Sequence, residues 1–333
     1  MNNIARGFIL AFVGVAFSVA PAASLTTIRK VTLEKKSGKI DQVVLASKAS
    51  YIVRDSTWKP PEQQRIEVFS LDGKLLRRIG QYGNERGTYR GLKAIALAGG
   101  ELWYVDASLH RITRVDYEGK VIGSILIAKP GYMPLGLAID VERGKYYVSG
   151  LLPQKTYLDD GSSLVHQYEL SSHEFVRSWL ANDADVLAKN LLSVEDLHLD
   201  LDPQGRVWVA EEPIHKVWRL DPAKGQMQSF ALTSSIVRPV PRIDPKVTAN
   251  LDSLFVIDRL AIAGSRVFVS VQKPDSGGYL LFALDGNGKQ VAGDMRAPGR
   301  LVGSDGKSTL YFAESSGGAY RIIEAVFDPA GKP

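Results

Sequence analysis

The chain of 333 residues contains no cysteine. That excludes disulfides, thiolate metal sites and a cysteine nucleophile. Histidine is scarce as well. The five, His110, His166, His173, His198 and His215, never fall at the His-x-x-x-His spacing that puts two imidazoles on one metal. No Gly-x-Ser-x-Gly occurs, so the nucleophile elbow of the serine hydrolases is absent. No Asn-x-Ser/Thr acceptor for N-glycosylation is present either. Charge of one sign is not concentrated. The 41 basic and 36 acidic residues leave a net +5 spread along the chain, whereas a nucleic-acid-binding surface needs a basic stripe. No nucleic-acid partner is expected.

Long apolar runs are missing except at the N-terminus. There, a single basic residue, Arg6, precedes the run Phe8–Ala20, and Ala20-Pro21-Ala22 places small residues before a cut after Ala22. A positive start, an apolar middle and a small-x-small end are the features of a secretory signal peptide. The run is shorter than the roughly 20 residues a spanning helix needs. Residues 1–22 are therefore expected to be removed, leaving 23–333 as an exported periplasmic or secreted protein without a membrane span and monomeric. Loss of Arg6 lowers the net charge from +5 to +4. In a bacterium the absence of cysteine suits an oxidising periplasm.

What the chain has is repetition, which precedes every other consideration. An apolar strand followed by an acidic residue and a turn recurs six times: Val68–Lys74, Val115–Lys120, Gln167–His173, Trp218–Gly225, Phe282–Lys289 and Val326–Lys332. Asp-Gly and Asp-x-x-Gly suit hairpins because glycine accepts the positive φ the turn demands. A second signal runs in phase with the first. It is a short aromatic and β-branched strand, at Tyr51–Asp55, Leu102–Asp106, Tyr146–Ser149, Val207–Glu211, Val267–Ser270 and Leu310–Glu314. Several strands per unit at this period predict propeller blades. Each unit would supply four strands, with the inner one first, as in Leu92–Leu97 or Leu197–Asp200.

The fold expected is all-β: a six-bladed β-propeller of four-stranded antiparallel blades over residues 23–333. Trp103, Tyr147, Trp208, Phe268 and Tyr311 are expected in the core between blades, since one blade cannot bury both of its faces alone. After Lys332 no chain remains for a sixth outer strand, while a spare strand lies near Thr26–Lys35. The N-terminal strand is therefore expected to complete the last blade and close the ring, hiding its edges.

Ile66–Gly73, then Gly80-x-x-Gly83, Leu102–Asp106 and His110-Arg111-Ile112 resemble consecutive NHL repeats. The later units are similar to the broader six-bladed TolB-like group. The resemblance implies the propeller architecture. Relatives of that shape include protein-binding scaffolds, calcium-dependent lactonases of the gluconolactonase type, and lyases, and a shared fold does not choose among them.

The inner strands of a propeller ring a central channel. Their first residues align as Asp41-Gln42, Lys93-Ala94, Leu135-Gly136, Glu195-Asp196, Asp258-Arg259 and Gly299-Arg300. This column is either a solvated funnel mouth or a polar ligand site, with Asp41, Lys93, Glu195, Asp196, Asp258, Arg259 and Arg300 as candidate ligand-binding residues. A divalent cation would need several converging oxygens, which Asp41, Glu195, Asp196 and Asp258 are candidates to supply. Lys93, Arg259 and Arg300 would compete for those carboxylates. No catalytic set is identified.

The reading favoured is a binding or scaffold module for a protein, peptide or glycan. The alternative is a metal-dependent hydrolase of the gluconolactonase type, or a lyase, acting at the channel mouth. Asp200-x-Asp202-x-Gln204-Gly205 with Glu211 mimics a calcium loop but falls where the repeat demands a turn. His198 shares a strand face with Asp196, and a buried, hydrogen-bonded role is expected for it. Segments 151–165, with Tyr157, Asp159 and Asp160, and 233–253, with Arg238, Arg242 and Asp244, interrupt the repeat and are expected to form loops on the propeller faces.

Overall fold

The computed structural model describes residues 23–34, 39–46, 50–55, 60–127, 133–151, 163–181, 183–189, 197–242, 254–274 and 277–330. The expected signal peptide, residues 1–22, lies outside them, as does most of the 151–165 insertion. Among the described residues no helix is long and apolar enough to cross a membrane.

The described residues form 24 strands in six four-stranded antiparallel sheets. The chain opens with β1 (Ser24–Leu33). Blade one follows as β2 (Ile40–Ala46), β3 (Ser50–Asp55), β4 (Ile66–Ser70) and β5 (Leu75–Ile79). Blade two is β6 (Leu92–Ala98), β7 (Glu101–Asp106), β8 (Arg111–Val115) and β9 (Val121–Leu126). Blade three is β10 (Met133–Asp140), β11 (Lys145–Leu151), β12 (Ser163–Glu169) and β13 (Phe175–Ala181). A short helix, α1 (Ala184–Ala188), leads to blade four: β14 (Leu197–Leu201), β15 (Val207–Glu211), β16 (Lys216–Asp221) and β17 (Gln226–Ala231). Blade five is β18 (Val256–Ala263), β19 (Arg266–Gln272), β20 (Tyr279–Leu284) and β21 (Gln290–Arg296). Blade six holds β22 (Arg300–Ser304), β23 (Thr309–Ser316) and β24 (Ala319–Asp328).

The fourth place in blade six belongs to β1. It pairs antiparallel with β24 from Ser24↔Asp328 to Leu33↔Tyr320. The ring is thus closed by the N-terminal strand, as expected. Blade one clasps the end of β1. Glu34 N donates to Gly73 O at 2.8 Å, and Arg29 Nη2 donates to Leu71 O at 2.6 Å. Gly73, at φ +92°, lies so close that a Cβ there would sit 2.0 Å from Thr32 O. Glycine at this hairpin therefore serves both the turn and the close approach of β1.

Each interface between blades has its own apolar cluster. Trp103, from blade two, packs with Tyr146 and Leu137 of blade three. Tyr147 packs with Leu197 and Val209 of blade four. Trp208 meets Leu260 and Phe282 of blade five, and Phe268 meets Phe312 and Ile323 of blade six. Tyr311 joins Val43 and Tyr51 of blade one, which in turn packs Ile52 and Val68 against Tyr104 of blade two. The five aromatics expected in the core are all buried, none more than 3% exposed. Each such side chain contributes roughly 1.5–3 kcal/mol of burial. Because the clusters straddle neighbouring sheets, the stability belongs to the ring and not to single blades.

Candidate functional site

The repeat explains how polar side chains reach the channel. The six inner strands β2, β6, β10, β14, β18 and β22 stand side by side around it. Four of them begin with a register shift, at Asp41 in β2, Lys93 in β6, Leu135 in β10 and Asp258 in β18. A bulge inserts one unpaired residue and re-aims its side chain. Pairing then resumes at Gln42↔Arg54, Ala94↔Val105, Gly136↔Ser149 and Arg259↔Ser270. In blade six the equivalent pair is Arg300↔Ala313.

Blade four differs. β14 pairs without a shift from Leu197↔Glu211 and His198↔Ala210. Its residue level with Gln42 is therefore His198, two positions later than Asp196, and Leu197 stands level with Ile40, so Asp41 has no counterpart in blade four. Glu195 and Asp196 lie outside the described residues.

The structure brings Asp41, Asp258, Arg259 and Arg300 together with a residue the sequence reading missed, Arg54. Arg54 Nη2 and Arg300 Nη1 each form an ion pair with Asp41. Arg300 also grips Asp258, with Nε 2.9 Å from both carboxylate oxygens. Arg259 Nη2 donates to Asp41 O at 2.9 Å and reaches Oδ2 at 3.4 Å. Arg259 belongs to blade five and Asp41 to blade one, so this contact passes blade six and spans part of the channel. Arg54 is 1% exposed and Asp41 4% exposed. The signal that could have found Arg54 was present: an arginine inside an otherwise apolar strand, Tyr51–Asp55, must meet an acid if buried.

The electrostatics follow from this packing. Burial alone would raise the Asp41 carboxyl, but Arg300, Arg54 and Arg259 override it and hold it far below the usual carboxylate range. Burial works against the Arg54 charge and lowers it to about 10, which still leaves it cationic at neutral pH. Asp258 and Asp41 outweigh burial at Arg300 and push it up. His198 is depressed well below its ordinary value by burial and then by Arg259, so its ring is neutral at physiological pH. It makes no hydrogen bond to another described residue, contrary to the bonded role expected of it. Lys93 likewise forms no ion pair among the described residues.

One level further along the same faces, polar side chains tie blades together. Gln42 Nε2 donates to Ile95 O at 2.7 Å and Gln42 Oε1 accepts from Ile95 N at 3.0 Å, joining blades one and two. Asp200 Oδ2 accepts from Ile262 N at 2.9 Å, joining blades four and five. Burial raises the Asp200 carboxyl to about 6.

Other sequence candidates resolve into structure. Asp202 uses Oδ1 to cap Gln204 N and Arg206 N, and Oδ2 to accept from Arg206 Nε and Trp208 Nε1. The apparent calcium loop is therefore a turn, as the repeat demanded. His110 and His215 occupy the same left-handed turn before β8 and β16, at φ 49° and 52°. Arg238 and Arg242 are exposed on the connection to blade five, whose start is pinned by Ser234 and Ser235 to Asp294. Tyr157, Asp159, Asp160 and Asp244 lie outside the described residues. Among the described residues no three His, Asp or Glu side chains converge as a metal site would require.

No family model matches the chain, and no curated protein matches it by sequence. Solved structures share its architecture. A member of the DUF4221 family from Bacteroides vulgatus superposes with a TM-score of 0.63 at 9% identity, covering 93% of this chain and 99% of that one. A Bacteroides fragilis protein whose name classes it as exported gives 0.60 at 11% identity, covering 91% and 95%. The virginiamycin B lyase of Staphylococcus aureus gives 0.53 at 12% identity, covering 91% and 99%. Identities this low establish a shared six-bladed fold and nothing about chemistry.

Proposed function

We propose that this chain is an exported binding module that holds a protein, peptide or glycan ligand at the mouth of its central channel. The observation that carries the reading is the use made of the channel acids. Asp41 and Asp258 give their oxygens to Arg54, Arg259 and Arg300. A hard cation needs several free carboxylate oxygens, and guanidinium partners compete directly for them. This favours binding over the metal-dependent hydrolase that is the alternative. Features of residues 1–22 support export, and a structural neighbour named as exported is consistent with it.

The test begins with metal analysis of purified protein lacking residues 1–22, followed by melting curves in calcium, magnesium, manganese and zinc. The expected result is no stoichiometric metal and no shift. Stoichiometric, tightly held calcium or zinc, lost on Asp41→Asn, would overturn the proposal in favour of the hydrolase. Arrays of peptides and glycans then search for the ligand class.

A further inference from the structure

We infer that the channel mouth receives a carboxylate group of the ligand, held by Arg259 beside His198, with Lys93 facing it from the opposite side of the ring. The inference rests on the binding reading above and names the ligand chemistry of that same site. Three guanidiniums share two carboxylates in the cluster. Of the three, Arg259 is the least committed. Arg54 and Arg300 make close ion pairs to Asp41, and Arg300 adds a two-oxygen grip on Asp258. Arg259 reaches the Asp41 carboxylate only at 3.4 Å, the same nitrogen donating to Asp41 O at 2.9 Å.

Two donors in this corner are buried without a partner: Arg259 Nε and, on the residue paired with Arg259 across β18 and β19, Ser270 Oγ. Buried polar groups left unpaired are rare and costly, so a pair of them at a channel mouth marks a place kept for another molecule. The Arg259 side chain keeps 13% of its surface open.

The groups around it decide what that molecule carries. His198 faces the cluster from blade four as a neutral ring that can donate one hydrogen bond. Asp200, two residues along the same face, accepts from Leu201 N with Oδ1 and from Ile262 N with Oδ2, and Arg259 is close enough to act on its charge. Tyr279 of β20 lies near Asp258, Arg300 and Asp41, with its phenol held neutral by burial. In a six-membered ring blade two stands opposite blade five. The bulge that turns Asp41 and Asp258 toward the cluster recurs at Lys93, which forms no ion pair among the described residues. Cations at opposite sides with a neutral donor between them suit a compact, singly charged, planar anion at each cation. A carboxylate fits that geometry. A phosphate near −2 would call for more donors than Arg259 and His198 provide.

The probes are sodium succinate and sodium glucuronate at constant ionic strength, with glucose and inorganic phosphate for comparison, read by calorimetry on protein lacking residues 1–22. Saturable binding of the carboxylates is expected, with glucose silent and phosphate weaker. Arg259→Gln should weaken binding on the order of tenfold, and Arg259→Lys less, since charge is kept while the planar fork is lost. Lys93→Gln should weaken succinate several-fold more than it weakens a monocarboxylate. Lys224→Gln, on an exposed turn, should change nothing. The His198 ring resonances, followed by NMR in the parent and in Lys93→Gln, should move with carboxylate occupancy, which keeps the test decisive if Arg259→Gln folds poorly. No saturable binding, tighter binding of phosphate, or binding indifferent to Arg259 in a folded variant would overturn the inference. A peptide or glycan ligand unaffected by Arg259→Gln would overturn it while leaving the binding function standing, whereas an Asp41-dependent metal would remove the binding function itself.

Discussion

Blades five, six and one, set against blades two and three, carry the same scaffold at the same level with different side chains. The inner strands of blades one, two, three and five all carry the entrance bulge. In blades one and five it presents Asp41 and Asp258, and in blades two and three Lys93 and Leu135. The paired residues that follow are Gln42 with Arg54 and Arg259 with Ser270 on one side, but Ala94 with Val105 and Gly136 with Ser149 on the other. The same entrance bulge therefore serves blades with the charges and blades without them, and blade four forms with no bulge at all. A buried arginine–aspartate cluster that blades two and three do without carries a desolvation cost which its ion pairs must offset.

The largest effect is expected where the charged half is also the seam of the ring. Deleting Ser24–Leu33 removes the outer strand of blade six, bares the edge of β24 and strips the buried Val31 and Leu33. A loss on the order of 5 kcal/mol or outright aggregation is expected, read by circular dichroism melting and light scattering. A truncated chain that melts like its parent would show that closure contributes nothing.

Next comes the direct contrast between bulges. Asp41→Ala leaves the buried Arg54 without its acid, while Arg300 keeps Asp258, and should cost about 3–5 kcal/mol in urea denaturation. The asymmetry between the two sides would collapse if that variant lost less than about 1 kcal/mol.

A smaller effect separates the sides by pH. Asp200 has its carboxyl raised to about 6 from 3.8, so its contribution is fully present below pH 3.8 and is lost as pH rises through 6. The loss is at most about 3 kcal/mol. His198 acts with the opposite sign. Because its folded value is depressed, the unfolded chain takes up a proton below pH 6.5 that the folded chain refuses, and stability falls toward acid. Melting temperatures from pH 4 to 8 should lose the alkaline decline in Asp200→Asn and the acid decline in His198→Gln. The residues level with Asp200 in blades two and three are Ala96 and Ala138, which cannot titrate. A profile unchanged by both variants would remove the buried charge cluster as a source of pH dependence. The smallest effect is expected at the other bulge: Lys93→Ala should stay within about 0.5 kcal/mol of the parent, checked by the same denaturation series.

Much of this was legible without coordinates. The six in-phase turns and aromatic strands specify blades, because Asp-Gly hairpins and alternating aromatic strands have few other folded uses. The spare strand before Lys35, ahead of the first full unit, points to how the ring closes, and β1 does pair with β24. Asp41, Asp258, Arg259 and Arg300 were aligned as neighbours by the repeat alone, since equivalent positions of a closed ring converge on its axis. The local turn chemistry at Asp202 was legible for the same reason: hairpins are made by residues adjacent in sequence.

Only the tertiary structure decided the rest. Arg54 enters the cluster through a second strand, and no spacing in the chain announces which buried acid it meets. His198 stands where Asp196 was expected because the pairing of β14 with β15 sets His198, opposite Ala210, level with Gln42 and Arg259, and only strand register decides which side chain faces the channel. Whether the channel acids were left for a cation or taken by arginines depends on which side chains from blades one, five and six meet in space. Residues as far apart as Asp41 and Arg300 meet only when the last blade is completed by the first strand.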